Sequence, residues 1–186
     1  MLIALGAGAA SAAGPKSLQG PYGLAAIGTC LGSPNGFLPN HVAVEPSSTT
    51  SVVNHGVLIF EHDGTGTASI MQTTLNLPPA AATYSGSAQV TFKFTYNLGP
   101  DGSMTLDMLL NTYAATVLTG PLAGVSQTFV TDPSLSPTWV WSGTYSEDRK
   151  TLLLTNGDTV SRFHFSNGLE ASAICQFERV LTRLTP

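Results

Sequence analysis

Apolar and polar residues alternate with period two along much of this chain, and turn-forming residues interrupt the alternation about every ten residues. The clearest stretch is 88–97 (AQVTFKFTYN): Val90, Phe92, Phe94 and Tyr96 fall on one face, and Gln89, Thr91, Lys93 and Thr95 on the other. A pleated strand sends successive side chains to opposite faces, so this pattern predicts a strand with one buried side. No segment of convincing length carries a helical period.

The same reading predicts strands at 20–31 and 51–62, separated by a long loop at 32–50 rich in Pro, Ser and Asn. Asp63-Gly64 is a tight-turn pair and leads into a return strand at 65–76. After a loop at 77–86 and the strand at 88–97, Gly99-Pro100-Asp101-Gly102 turns the chain back. Met104, Leu106, Met108 and Leu110 then alternate with Thr105, Asp107 and Asn111. Residues 112–130 alternate less cleanly, and Gly120-Pro121 and Gly124 suggest breaks or a bulge. Strands at 138–145, 151–155, 159–165 and 170–184 follow, joined by the turns Ser146-Glu147-Asp148, Asn156-Gly157-Asp158 and Asn167-Gly168. Trp139, Trp141 and Tyr145 share a face.

Short connections place sequential strands side by side. The predicted class is all-β: an antiparallel up-and-down β-barrel of about eight to ten strands, with a β-sandwich as the alternative. Cys30 on the first strand and Cys175 on the last would meet where a barrel closes. A disulfide there would close a very long loop, worth roughly 4–5 kcal/mol on the chain-entropy model. Closure also removes the two open sheet edges, which favours a barrel over a sandwich.

Composition strengthens this picture. Only 10% of the 186 residues are charged, against about 25% in a typical soluble domain, and Ser, Thr, Asn and Gln carry the polarity instead. A formal net charge of −4 without a basic cluster argues against nucleic acid as a partner. Residues 1–14 (MLIALGAGAASAAG) are small and apolar and contain Ala10-Ser11-Ala12, a small-x-small pattern. They predict a signal-peptide-like segment ahead of a single barrel domain at 15–186, and with the cysteines a secreted or periplasmic location. Fourteen residues are too few to span a bilayer, and no later stretch predicts an integral membrane span.

Candidate chemistry is sparse. His41, His55, His62 and His164 show no metal-binding spacing, and no cysteine cluster accompanies them, so no metal and no cofactor is expected. His55 and Glu61 lie six apart on one strand and face the same way. Inside an apolar lumen they would form a proton-transfer pair; in the opposite register, Leu58 and Phe60 are buried and both polar groups meet water. Arg162 and His164 alternate with Phe163 and Phe165, and burial of the rings puts the polar pair outside. No Gly-x-Ser-x-Gly motif supports a serine nucleophile. The remaining feature is an aromatic and methionine face, Phe92, Phe94, Tyr96, Met104, Met108, Trp139 and Trp141, which is either a packed core or the lining of an apolar ligand cavity.

With Gly20-Pro21-Tyr22 on the first strand and Arg179 or Arg183 on the last, the chain resembles the calycin group of secreted barrels, lipocalin-like proteins in particular. Those proteins carry Gly-x-Trp on the first strand and an arginine on the last that packs across the ring; here Tyr22 stands for the Trp. The stretch from Ser142 to Asp148 (SGTYSED), followed by Thr151-Leu152, is similar to their late hairpins. Barrels of the allene oxide cyclase type share the same general features. A predicted closed barrel with an apolar face and no catalytic constellation points to an exported, non-catalytic barrel that binds, stores or carries a small hydrophobic molecule. The alternatives are a barrel cyclase or isomerase acting on a hydrophobic substrate, with His55 and Glu61 as its candidates, and an envelope or surface module acting through the 32–50 loop.

Overall fold

The computed structural model describes residues 17–77, 85–120, 123–128, 139–156, 160–164 and 170–185. The expected signal-like segment at 1–14 lies outside them. Ten strands form: β1 (Gly20–Ser33), β2 (Ser48–Phe60), β3 (Thr65–Leu77), β4 (Ser85–Leu98), β5 (Ser103–Thr119), β6 (Ser126–Thr128), β7 (Val140–Tyr145), β8 (Thr151–Asn156), β9 (Ser161–His164) and β10 (Glu170–Arg183). Eight of them close an antiparallel barrel in the order β1-β2-β3-β4-β5-β7-β8-β10, with β10 pairing back onto β1. β6 continues the ladder on β5 beyond β7, and β9 continues the ladder on β10 beyond β8.

The seam runs in one register from Tyr22 opposite Arg183 to Ser33 opposite Ser172. Cys30 and Cys175 are direct partners in it, 4.1 Å apart at Cα, and their sulfurs are bonded. The expected disulfide therefore sits on the closure itself.

β5 is longer than its alternation suggests because a bulge interrupts it. Lys93 pairs with Leu109 and Thr91 with Ala114, so residues 110–113 loop out of the ladder. Thr112 staples the bulge: its hydroxyl accepts from the Lys93 amide at 2.7 Å and donates to the Leu109 carbonyl at 2.6 Å. The bulge re-phases the strand, so Tyr113 and Ala115 rather than even-numbered residues turn inward beyond it.

The barrel is filled at its hairpin end. Tyr22, Leu58, Phe60, Phe94, Met104, Leu106, Leu152, Leu154 and Leu181 are essentially inaccessible to solvent. Leu18, just before β1, is buried with them and plugs that end. Edge-to-face rings run through this core: Tyr22 on Phe60 at 5.0 Å, Phe60 on Phe94 at 5.1 Å, Phe92 on Trp141 at 5.8 Å. Room for the rings comes from glycine. A Cβ on Gly66 would lie 2.3 Å from the Phe94 ring and 2.5 Å from the Ile59 carbonyl.

Three tyrosine hydroxyls pin the turns at this end. Tyr22 donates to the Arg149 carbonyl at 2.7 Å and Tyr145 to the Gly99 carbonyl at 2.7 Å. Tyr96 lies 2.6 Å from the Glu61 carbonyl and 2.9 Å from that of Leu18. Each turn also holds an aspartate whose carboxylate accepts local donors: Asp63 from Thr65, Asp101 from Ser103, Asp148 from Ser146 and Lys150. These hydrogen bonds favour the ionised form and hold all three carboxyls below their ordinary value. Burial pushes the Tyr22 and Tyr96 phenols up.

Two outcomes follow. Gly66→Ala should destabilise by about 1–3 kcal/mol in urea unfolding, because neither the Phe94 ring nor the Ile59 backbone can yield freely; an unchanged midpoint would contradict this packing. Carboxyls with lowered folded pKa values contribute stability that is present above about pH 4 and lost below it, whereas phenols with raised values contribute stability that is lost as pH rises past about 10. The melting temperature should therefore plateau between those limits. Asn at positions 63, 101 and 148 together should flatten the acid limb and leave the alkaline limb in place.

Candidate functional site

Above the filled half, the inward residues change character. Across the ladder from β10 to β4, Arg179 pairs with Ala26, Ala26 with Asn54, Asn54 with Gln72 and Gln72 with Ala88. Strict alternation puts all of them inside: Arg179 lies between Phe177 and Leu181, Asn54 two residues from Val52, and Gln72 two residues from Ile70. Two alanines in this row leave a space that no side chain fills.

The result is a cavity of about 50 Å³. Its walls are apolar on one side, with Phe92, Met108, Trp139 and Trp141, and polar on the other, with Asn54, Gln72, Asn156 and Arg179. Tyr113, Phe177 and Cys175 also line it. An apolar cavity of about 150 Å³ holds benzene, and one water needs roughly 10–15 Å³ by the same kind of measure. This space therefore suits a very small molecule or one end of a larger one. A separate outer groove of about 530 Å³ along β1, β8 and β10 shares Asn156 and Phe177 with the cavity wall.

Arg179 dominates the electrostatics. The residue is only 5% exposed. Its guanidinium carbon lies 4.1 Å from the centre of the Trp141 ring and 4.5 Å from that of Phe177, which in turn lies over Gly28. Asn156 orients it: the amide nitrogen donates to the Cys175 carbonyl at 3.0 Å, so the amide oxygen faces Arg179 and accepts from Nη1. Among the described residues Nε has no hydrogen-bond partner, and neither has Oδ1 of Asn54. Among the described residues the only ion pair is the exposed Lys150–Asp148 contact, so no carboxylate of those residues neutralises Arg179. Desolvation draws its pKa down to about 9, which leaves it protonated at neutral pH. Burial likewise pushes the Tyr113 phenol up to about 12.

The residues singled out in the sequence separate into three groups. Phe92, Met108, Trp139 and Trp141 line the cavity, whereas Phe94, Tyr96 and Met104 pack in the filled half and do not reach it. His55 and Glu61 do share a face, but it is the outer one: both are exposed, and Leu58 and Phe60 are the buried set. The lumen pair considered for an enzyme is not formed. The side chains of Arg162, Phe163 and His164 lie outside the described residues. Tyr22 and Arg179 do not stack on one another; Arg183 faces Tyr22 across the seam and is exposed, while Arg179 covers Trp141.

Among the described residues no cluster of three His, Cys, Asp or Glu could hold a metal. Among those residues no helix is long and apolar enough to cross a membrane. No protein-family model, no curated protein and no solved structure matches the chain.

A buried cation without a carboxylate partner among the described residues costs stability. Arg179→Met keeps a long side chain over Trp141 and removes the charge, so it should raise unfolding free energy by about 1–4 kcal/mol in urea titrations. A loss of that size would instead make the guanidinium a structural brace.

Proposed function

We propose that this protein is a non-catalytic, lipocalin-like binding barrel that holds a small ligand with an apolar body in the unfilled half of its interior. The observation that carries the reading is the asymmetry of the lumen. One half is packed solid and plugged by Leu18, and the other keeps a cavity walled by Phe92, Met108, Trp139 and Trp141. A barrel of about eight strands is just wide enough for side chains to fill or for one small ligand. The disulfide fits an oxidising compartment, and with the small-residue N-terminal segment it supports an exported protein, secreted or periplasmic. The exposure of His55 and Glu61 speaks against the cyclase or isomerase reading that used them.

Both tryptophans of the chain, Trp139 and Trp141, line the cavity, so intrinsic fluorescence reports on its contents. Titration with a graded series of neutral apolar probes, from short alcohols to octanol, together with a fluorescent fatty acid, should give a saturable one-to-one change for at least one of them. Met108→Phe, which adds bulk to the cavity wall, should weaken that binding at least tenfold while the melting temperature stays within a few degrees. A flat response to every probe from folded protein would remove the reading.

A further inference from the structure

We propose that the cavity takes a small monocarboxylate, its carboxylate set against the Nε edge of Arg179 and its short apolar body against Phe92, Met108 and Trp141. This rests on the barrel being a ligand-binding module and adds the chemical class of the ligand.

An orphaned donor points to it, and an amide that can adapt lies beside it. Nε of Arg179 is a buried, charged donor with no acceptor among the described residues, and Asn54, whose Oδ1 is also unpaired among them, is on the same wall. Buried polar groups are nearly always paired, by protein, water or ligand. Ala26 separates the two residues in the ladder, and its small side chain leaves the space between them open. An acid enters this space with an acceptor for Arg179, and the Asn54 amide can turn its nitrogen inward to meet the second oxygen.

The arrangement favours a carboxylate over other anions. The guanidinium offers a planar fork matched to a planar carboxylate. Its faces are taken by Trp141 and Phe177 and Nη1 by Asn156, so what remains is an edge and not an open cationic surface. The other polar wall residues described are neutral, the amides of Asn54, Gln72 and Asn156 and the phenol of Tyr113. One positive charge and no second cation among the described wall residues suit a monoanion and leave a phosphate dianion undercompensated. The volume of about 50 Å³ restricts the enclosed part of the ligand to a few heavy atoms, so short acids are the natural probes.

The test titrates the full chain with acetate, propionate and butyrate, each against its matched amide and primary alcohol, with inorganic phosphate and chloride at equal ionic strength. Tryptophan fluorescence and the Arg179 Nε–Hε NMR resonance are followed together. The expected result is saturable binding of at least one acid, at least tenfold tighter than its alcohol or amide, with a downfield move of the Arg179 Hε signal. Arg179→Met should abolish the preference for acid while sparing the binding of neutral probes. Should that variant fail to fold, Arg179→Lys, which keeps a charge but lacks Nε, should lose at least tenfold in acid affinity. If alcohols or amides bind as well as acids, the carboxylate assignment falls and the binding barrel stands. If phosphate or chloride competes equally, the assignment to carboxylates also falls. If no probe of either class binds, both readings fall.

Discussion

Everything in this molecule depends on the pairing of its first strand with its last. β1 hydrogen-bonds β2 on one side and β10 on the other, so the sheet has no open edge along its main path. Closure converts a period-two pattern into an inside and an outside. The inward phase of each strand then meets the inward phases of seven others instead of a second layer. Without the seam, Tyr22 and Leu24 on β1 and Leu181 on β10 would lose the partners that bury them. The Cys30–Cys175 bond reinforces the contact of highest sequence separation, where the entropy cost of closing the chain is greatest.

Within that frame the two halves of the lumen follow different rules. The hairpin half is a conventional core with rings edge to face, glycines that make room for them, and tyrosine hydroxyls that close the turns. The other half breaks the pattern with a row of Arg, Asn and Gln on the inner face. Small residues beside them leave volume unfilled, and a cation is kept where no carboxylate of the described residues balances it. A sequence selected for stability alone would place apolar side chains in that row. Functional sites are where such local rules are broken.

Much of the fold was legible because period-two alternation and turn chemistry are local signals. Strands such as 88–97, the Asp63-Gly64 turn and the cysteine pairing could be read directly. β5 was not, since its bulge shifts the phase at 110–113 and the alternation breaks there although the strand runs on to Thr119. The cavity wall was read only in part. Phe92, Met108, Trp139 and Trp141 are recognisable as apolar lining, but nothing in the alternation distinguishes them from Phe94 or Met104 in the packed half. That depends on how far along the barrel each residue sits. Asn54, Gln72 and Asn156 were missed as interior groups, because reading hydrophobicity assigns polar residues to the outside, and Arg179 was noticed only through the resemblance and against Tyr22 rather than Trp141. Strict phase would have found Arg179, which alternates in step with Phe177 and Leu181.

The closure itself can be measured most directly by amide hydrogen exchange along β1. The Pro21 carbonyl accepts from the Leu184 amide, so odd-numbered residues of β1 direct their backbone groups at β10 and even-numbered ones at β2. A closed barrel predicts that the amides of Gly23, Ala25 and Ile27 are protected as strongly as those of Leu24, Ala26 and Gly28. Rapid exchange at the odd positions alone, with the even ones protected, would show an open edge and contradict the account.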